Sequence, residues 1–137
     1  MRSHRPILLI EDDEVDVLTV QRALRDLAVA NPLTTVRNGE EALAWLADEE
    51  QPTPGLILLD LNMPRMNGLE FLREARRVGC AERIPVVVLT TSRDDRDVVE
   101  GFQLNVAGYM VKPVDYRKFV EVMKAIDQYW SLSEMPE

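Results

Sequence analysis

Four short apolar runs in this 137-residue chain each lead into a side chain that could do chemistry. Ile7-Leu8-Leu9-Ile10 ends on Glu11-Asp12, Leu56-Ile57-Leu58-Leu59 on Asp60, Val86-Val87-Val88-Leu89 on Thr90, and Gly108-Tyr109-Met110-Val111 on Lys112. Each type has a place in phosphoryl chemistry. A carboxylate can attack phosphorus and form an acyl phosphate. Neighbouring carboxylates can hold a hard divalent cation through oxygen. A hydroxyl can reach a phosphoryl oxygen, and an ammonium is a compact point charge that neutralises the charge developing there. Three carboxylates in one pocket repel by about 4 kcal/mol per close pair at an effective dielectric near 20, and a divalent cation among Glu11, Asp12 and Asp60 would relieve that repulsion. Asp13 belongs to the same acidic run but begins a helix, where an exposed first-turn acid is favoured, so it is left out of the site.

The elements between these residues decide whether they meet. Runs rich in Val, Ile and Leu, separated by helical patterns, read as parallel strands buried on both faces, and ligands of such sheets sit just beyond the strands' carboxyl ends. A short strand at 33–36 completes five. A helix over 14–28 would bury Val17, Leu18, Ala23, Leu24 and Leu27, and Asn31-Pro32 stops it. Asn38 is placed to cap a second helix that buries Ala42, Leu43, Trp45 and Leu46, and residues 48–55 form an exposed loop. A third helix from Gly68 carries Leu69, Phe71, Leu72, Ala75 and Val78, and Pro85 opens the fourth strand. The fourth helix, over 94–104, is weakened by Gly101 at about 1 kcal/mol relative to Ala; Asn105 can supply its left-handed cap. The fifth begins behind Asp115 with Phe119, Val122, Met123, Ile126 and Trp130 on one face, ahead of a polar tail at 131–137. The expectation is one α/β domain, a doubly wound five-stranded parallel sheet with five helices.

Composition narrows the function classes. Apolar residues make up 46% of the chain, yet no run approaches the roughly 18 needed for a membrane span. The basic start, Met1 to Pro6, runs directly into a strand without a signal-peptide core, which gives a cytoplasmic expectation. Cys80, the one cysteine, has no partner in the chain and reads as a reduced loop thiol. With 16 basic and 24 acidic residues the net charge is -8, which argues against autonomous nucleic-acid binding.

Ile-Leu-Leu-Ile-Glu-Asp-Asp at 7–13, Leu-Leu-Asp-Leu-Asn-Met-Pro-Arg-Met-Asn-Gly at 58–68, Pro-Val-Val-Val-Leu-Thr-Thr at 85–91 and Gly-Tyr-Met-Val-Lys-Pro at 108–113 together resemble the receiver domain of two-component response regulators. The loop before the third strand, Leu-Thr-Thr-Ser at 89–92, Lys-Pro-Val-Asp at 112–115 and the pair Tyr129-Trp130 are most similar to stand-alone receivers that serve phytochrome-type histidine kinases. The resemblance implies a flavodoxin-like three-layer sandwich of strand order 2-1-3-4-5. It makes Asp60 the phosphoacceptor, and Mg²⁺ the cofactor, held by Asp12, Asp60 and the backbone carbonyl of Asn62, with Glu11 acting through water. It further implies that a cis peptide to Pro113 holds Lys112 over the pocket, that the Thr90 hydroxyl swings to the phosphoryl group and that Tyr109 is the switch aromatic; Thr91, bulkier than the Ala or Gly many receivers place there, is expected to restrict access. A sensor histidine kinase is the implied donor, and self-association through the fourth helix, fifth strand and fifth helix an implied output. Two alternatives share the sheet. An aspartate-nucleophile phosphatase of the haloacid dehalogenase kind wants a second Asp where Asn62 stands, and a flavodoxin-type flavin carrier wants a Ser/Thr-rich loop where Glu11 to Asp13 stand.

Overall fold

The apolar runs do form the strands, and two of them reach one residue further, onto the reactive side chain itself. A computed structural model describes residues 5–61, 66–79, 84–90, 106–112 and 115–133. The strands are β1 (Ile7–Ile10), β2 (Leu33–Val36), β3 (Leu56–Asp60), β4 (Val86–Thr90) and β5 (Gly108–Val111), all parallel in the order β2-β1-β3-β4-β5. Four helices lie among the described residues: α1 (Glu14–Asp26), α2 (Gly39–Ala47), α3 (Gly68–Val78) and α4 (Tyr116–Ser133). The helix expected over 94–104, with its Asn105 cap, lies outside them.

Side chains alternate across the sheet, so each strand feeds two cores. Leu8, Ile10, Ile57, Leu59, Val86 and Val88 meet Ala42 of α2 and Phe71, Leu72 and Ala75 of α3. Ile7, Leu9, Leu56, Leu58, Val87 and Leu89 meet Val20, Ala23 and Leu24 of α1 and Phe119, Met123 and Ile126 of α4. Helices on both faces give the three-layer, doubly wound sandwich. The helices α1 and α4 are also tied at the surface, where Tyr116 Oη lies 2.7 Å from Asp26 Oδ2 and the Arg22 guanidinium lies 4.1 Å over the Tyr116 ring. No helix among the described residues is long and apolar enough to cross a membrane.

Local chemistry sets the ends of the helices. Asn38 caps α2 by accepting from the Glu41 amide at 2.9 Å. A capping box of Asn67 and Glu70 starts α3, and left-handed Gly79 (φ 73°) ends it. Some sequence expectations shift. Asp13 is the N-cap of α1, not a first-turn acid: its carboxylate accepts from the amides of Val15 and Asp16. The stripe that α1 buries is Val20, Ala23 and Leu24; Leu18, one position off it, is 62% exposed. The helix also stops earlier than 28, because Ala28 takes a positive φ of 57°. Val78, the last residue of α3, is likewise half exposed where the helix gives way to Gly79. Finally, α4 runs to Ser133 and absorbs residues expected in the tail.

Gly68 begins α3 against the end of β3. A Cβ there would lie 2.5 Å from the Asp60 carbonyl oxygen and 2.7 Å from the Leu61 Cα, both backbone atoms, whereas a Cβ on Gly79 would meet nothing and only its positive φ resists substitution. In urea unfolding, Gly79→Ala should cost about 1 kcal/mol through its left-handed backbone, and Gly68→Ala more, about 2 to 3 kcal/mol, through overpacking. Equal losses would show that the contact with β3 is relieved without strain.

Candidate functional site

The register of the sheet gathers the reactive residues at one end. Ile10 pairs with Leu59, so Glu11 and Asp60 continue neighbouring strands, and the Glu11 amide is fixed by a 2.9 Å bond to the Val36 carbonyl. Glu11 and Asp60 are buried and Asp12 is exposed; each offers a carboxylate oxygen within 4.8 Å of the others. On the other side Asp60 pairs with Leu89 and Thr90 with Val111, which puts Lys112 two strands from Asp60. The lysine reaches back over that gap. Its Nζ lies 3.0 Å from Glu11 Oε2, 3.0 Å from Asp16 Oδ2 and 4.0 Å from Asp60 Oδ1.

Burial and charge compete here. Burial pushes the Glu11 carboxyl up to about 8, against the attraction of Lys112, and the Asp60 charge adds to the rise. Burial also works against the Lys112 ammonium, but the Glu11 and Asp60 charges and the bonds to Asp16 and Glu11 outweigh it and hold the group above the ordinary lysine value. A hard cation suits the donor set. Oxygens on one octahedral Mg²⁺ lie roughly 3 to 4 Å apart, given its ~2.1 Å bonds, so oxygens within 4.8 Å of one another need only a small closure or one bridging water.

The segment after Asp60 is anchored at its far end. The Gly68 amide donates to the Leu61 carbonyl at 3.1 Å, and the Gly39 amide, at the start of α2, donates to the Met66 carbonyl at 2.9 Å. A Cβ on Gly39 would lie 2.6 Å from Met66 Cγ and 2.9 Å from its carbonyl oxygen, so only glycine lets the two backbones approach.

Thus Glu11, Asp12, Asp60 and Lys112 converge. Thr90 ends β4 beside Val111 of β5, and Tyr109, half-buried on β5, packs against the core that α2 and α3 cover. Asn62, Thr91, Pro113 and Cys80 lie outside the described residues. Sequence reasoning missed Asp16. Its signal was faint: an acid in the first turn of a helix that starts at the site looks like any dipole-favoured surface charge.

Residues 7–124 match the response regulator receiver domain family. Response regulator Rcp1 of Synechocystis sp. is 38% identical over 128 residues, spanning 90% of this chain and 87% of its own. The crystal structure of a phosphorylated cyanobacterial phytochrome response regulator, RcpA, aligns with a TM-score of 0.80 at 36% identity, over 93% of this chain and 94% of that one. The Mn²⁺-bound form of Rcp1 aligns at 0.82 and 36% identity, over 97% of both chains.

Two predictions come from the electrostatics. In EDTA, Asp60→Asn should melt above wild type, because it removes a buried member of the carboxylate cluster, whereas most substitutions in a packed domain destabilise. Asp12→Asn should gain less, since Asp12 is exposed. Mg²⁺ at ten times its Kd should add about 1.4 kcal/mol to wild type, roughly 3 to 5 °C in Tm for a domain of this size, and Asp12→Asn should lose most of that gain. Mutants that melt below wild type in EDTA, or an undiminished Mg²⁺ response in Asp12→Asn, would overturn the cation site.

The second concerns pH in the cation-free protein. Folded Glu11 holds its proton up to about 8 and the unfolded chain only to about 4.5, so the folded state binds more protons in between and its stability falls as pH rises through that window. Urea midpoints between pH 5 and 8.5 should decline in wild type, and the slope should flatten in Glu11→Gln. An unchanged slope in the variant would place the titration elsewhere.

Proposed function

The chain belongs to the response regulator receiver domain family, and from that premise we propose that Asp60 is the residue that carries its phosphoryl group. Receiver domains are phosphoacceptors of two-component signalling, and this chain is one by family. The observation that supports Asp60 is the reach of Lys112: a half-buried ammonium drawn from β5 to within 4.0 Å of a buried carboxylate that itself lies beside Glu11 and Asp12.

In the proposed reaction a carboxylate oxygen of Asp60 attacks the phosphorus of a phosphohistidine on a sensor kinase, phytochrome-type by the likeness to RcpA. The new bond is Oδ–P; the bond broken is P–N, and the imidazole nitrogen keeps its electron pair. Asp12, Asp60 and the Asn62 carbonyl would hold a divalent cation, Mg²⁺ in this reading, with Glu11 assisting through water, and the cation would neutralise charge at the transferring group. Lys112 pairs with a phosphoryl oxygen. Thr90 offers its hydroxyl to another phosphoryl oxygen, and Tyr109 follows inward along β5. The surface of β5 and α4 then changes partner, self-association included. The chemistry is confined to the domain's own loading from phosphodonors and its own hydrolysis, and places it among signalling proteins instead of metabolic enzymes.

Incubation with acetyl phosphate and Mg²⁺ should add the mass of one phosphoryl group to wild type and none to Asp60→Asn, read by intact mass spectrometry. Label persisting in Asp60→Asn would place the acceptor on another side chain.

A further inference from the structure

Asp16 is absent from every motif in the sequence, yet it makes one of the two closest contacts of the site lysine. An ammonium has three donors and no acceptor. In Lys112 two of them face carboxylates at 3.0 Å, Glu11 Oε2 and Asp16 Oδ2, while Asp60 Oδ1 at 4.0 Å is beyond hydrogen-bond reach. The two anchors differ in kind. Glu11 is 2% exposed and continues β1; Asp16 is 39% exposed and rides on the first turn of α1. That turn is fixed in place by Asp13, whose carboxylate accepts from the Val15 and Asp16 amides at 2.8 and 3.3 Å. Asp13 thus acts at one remove, through the residue it positions.

We propose that Asp16 is a positioning residue that parks the Lys112 ammonium off Asp60 and competes with the incoming phosphoryl group for it. The inference rests on the reading of Asp60 as the acceptor. For Lys112 to meet a phosphoryl oxygen on Asp60 it must give up a partner. Glu11 is walled in beside the carboxylates that a cation would bridge, and its release would leave a buried oxygen without its hydrogen-bond partner, which is expensive. Asp16 faces water, which can take over its solvation, so its bond is the one exchanged. The resting protein therefore holds its charge clamp partly engaged elsewhere, and the strength of that hold sets how readily Asp60 is loaded.

Exposed or half-exposed ion pairs are worth factors of about two to five in an equilibrium, which sizes the effect. Initial rates of labelling by acetyl phosphate at saturating Mg²⁺ should rise about two- to fivefold in Asp16→Asn, and stay at the wild-type rate in Glu14→Gln, which removes an equal charge from the same helix turn at a side chain 84% exposed. Removing a negative charge could also speed an anionic donor without involving the lysine, and a double-mutant cycle separates the two. In a Lys112→Met background, slower overall, adding Asp16→Asn should change nothing. Urea unfolding of the same four proteins, with no phosphodonor, should show coupling between positions 16 and 112. An unchanged or slower rate in Asp16→Asn, a rise equal to that of Glu14→Gln, a rise that survives in Lys112→Met, or additive stabilities would each overturn the inference while leaving Asp60 as acceptor. Failure of wild type to label at Asp60 would instead overturn the acceptor assignment and this inference with it.

Discussion

One half-buried ammonium, that of Lys112, sits against the acidic end of the sheet. Glu11, Asp12 and Asp60 crowd one end of the sheet, and among the described residues Lys112 is the positive group that reaches into them. Everything else serves that meeting. Because a parallel sheet sets all its strands in one direction, the chain can deliver four side chains from distant sequence positions to a single edge. Because the sheet is buried on both faces, its order and register are held by two separate cores, and a slip of one residue would swap them. The site inherits its precision from that packing.

Much of this was legible beforehand, and the reasons are physical. A strand buried on both faces has to be apolar without interruption, so β1, β3 and β4 announced themselves, and the polar residue that ends each run marked the sheet edge where solvent and chemistry begin. The rest depended on direction more than on type. Leu18 and Val20 are both apolar and only two residues apart on α1, and which one faces the core is set by how the helix lies on the sheet, not by hydrophobicity. Asp13 and Asp16 are equally acidic; a backbone angle makes the first a cap and a lysine arriving from β5, 96 positions along the chain, makes the second an ion-pair partner. Contacts at that separation leave no mark in a local pattern. The motifs resembling receiver domains carried the reading of the site further than periodicity could, and Asp16 stood outside them.

The electrostatics also show a compromise between stability and use. Three carboxylates in a cluster suited to a cation are poor company when the cation is away, and Glu11 holds its proton more tightly than a free carboxyl, chiefly because it is buried and further because Asp60 is charged beside it. A packed apolar end would hold the domain together better. It would also have nothing with which to receive a charged group.

The amide of Gly39 and the carbonyl of Met66 join the start of α2 to the chain just ahead of α3, with no room for a Cβ between them. Viewed as a constraint on divergence, this makes position 39 one of the least free in the chain although it takes no part in any reaction. The obstruction comes partly from a backbone oxygen, so a smaller residue at 66 would not relieve it. The exposed positions that follow on α2, Glu40, Glu41 and Ala44, face solvent, whereas its first residue is confined by a neighbouring backbone.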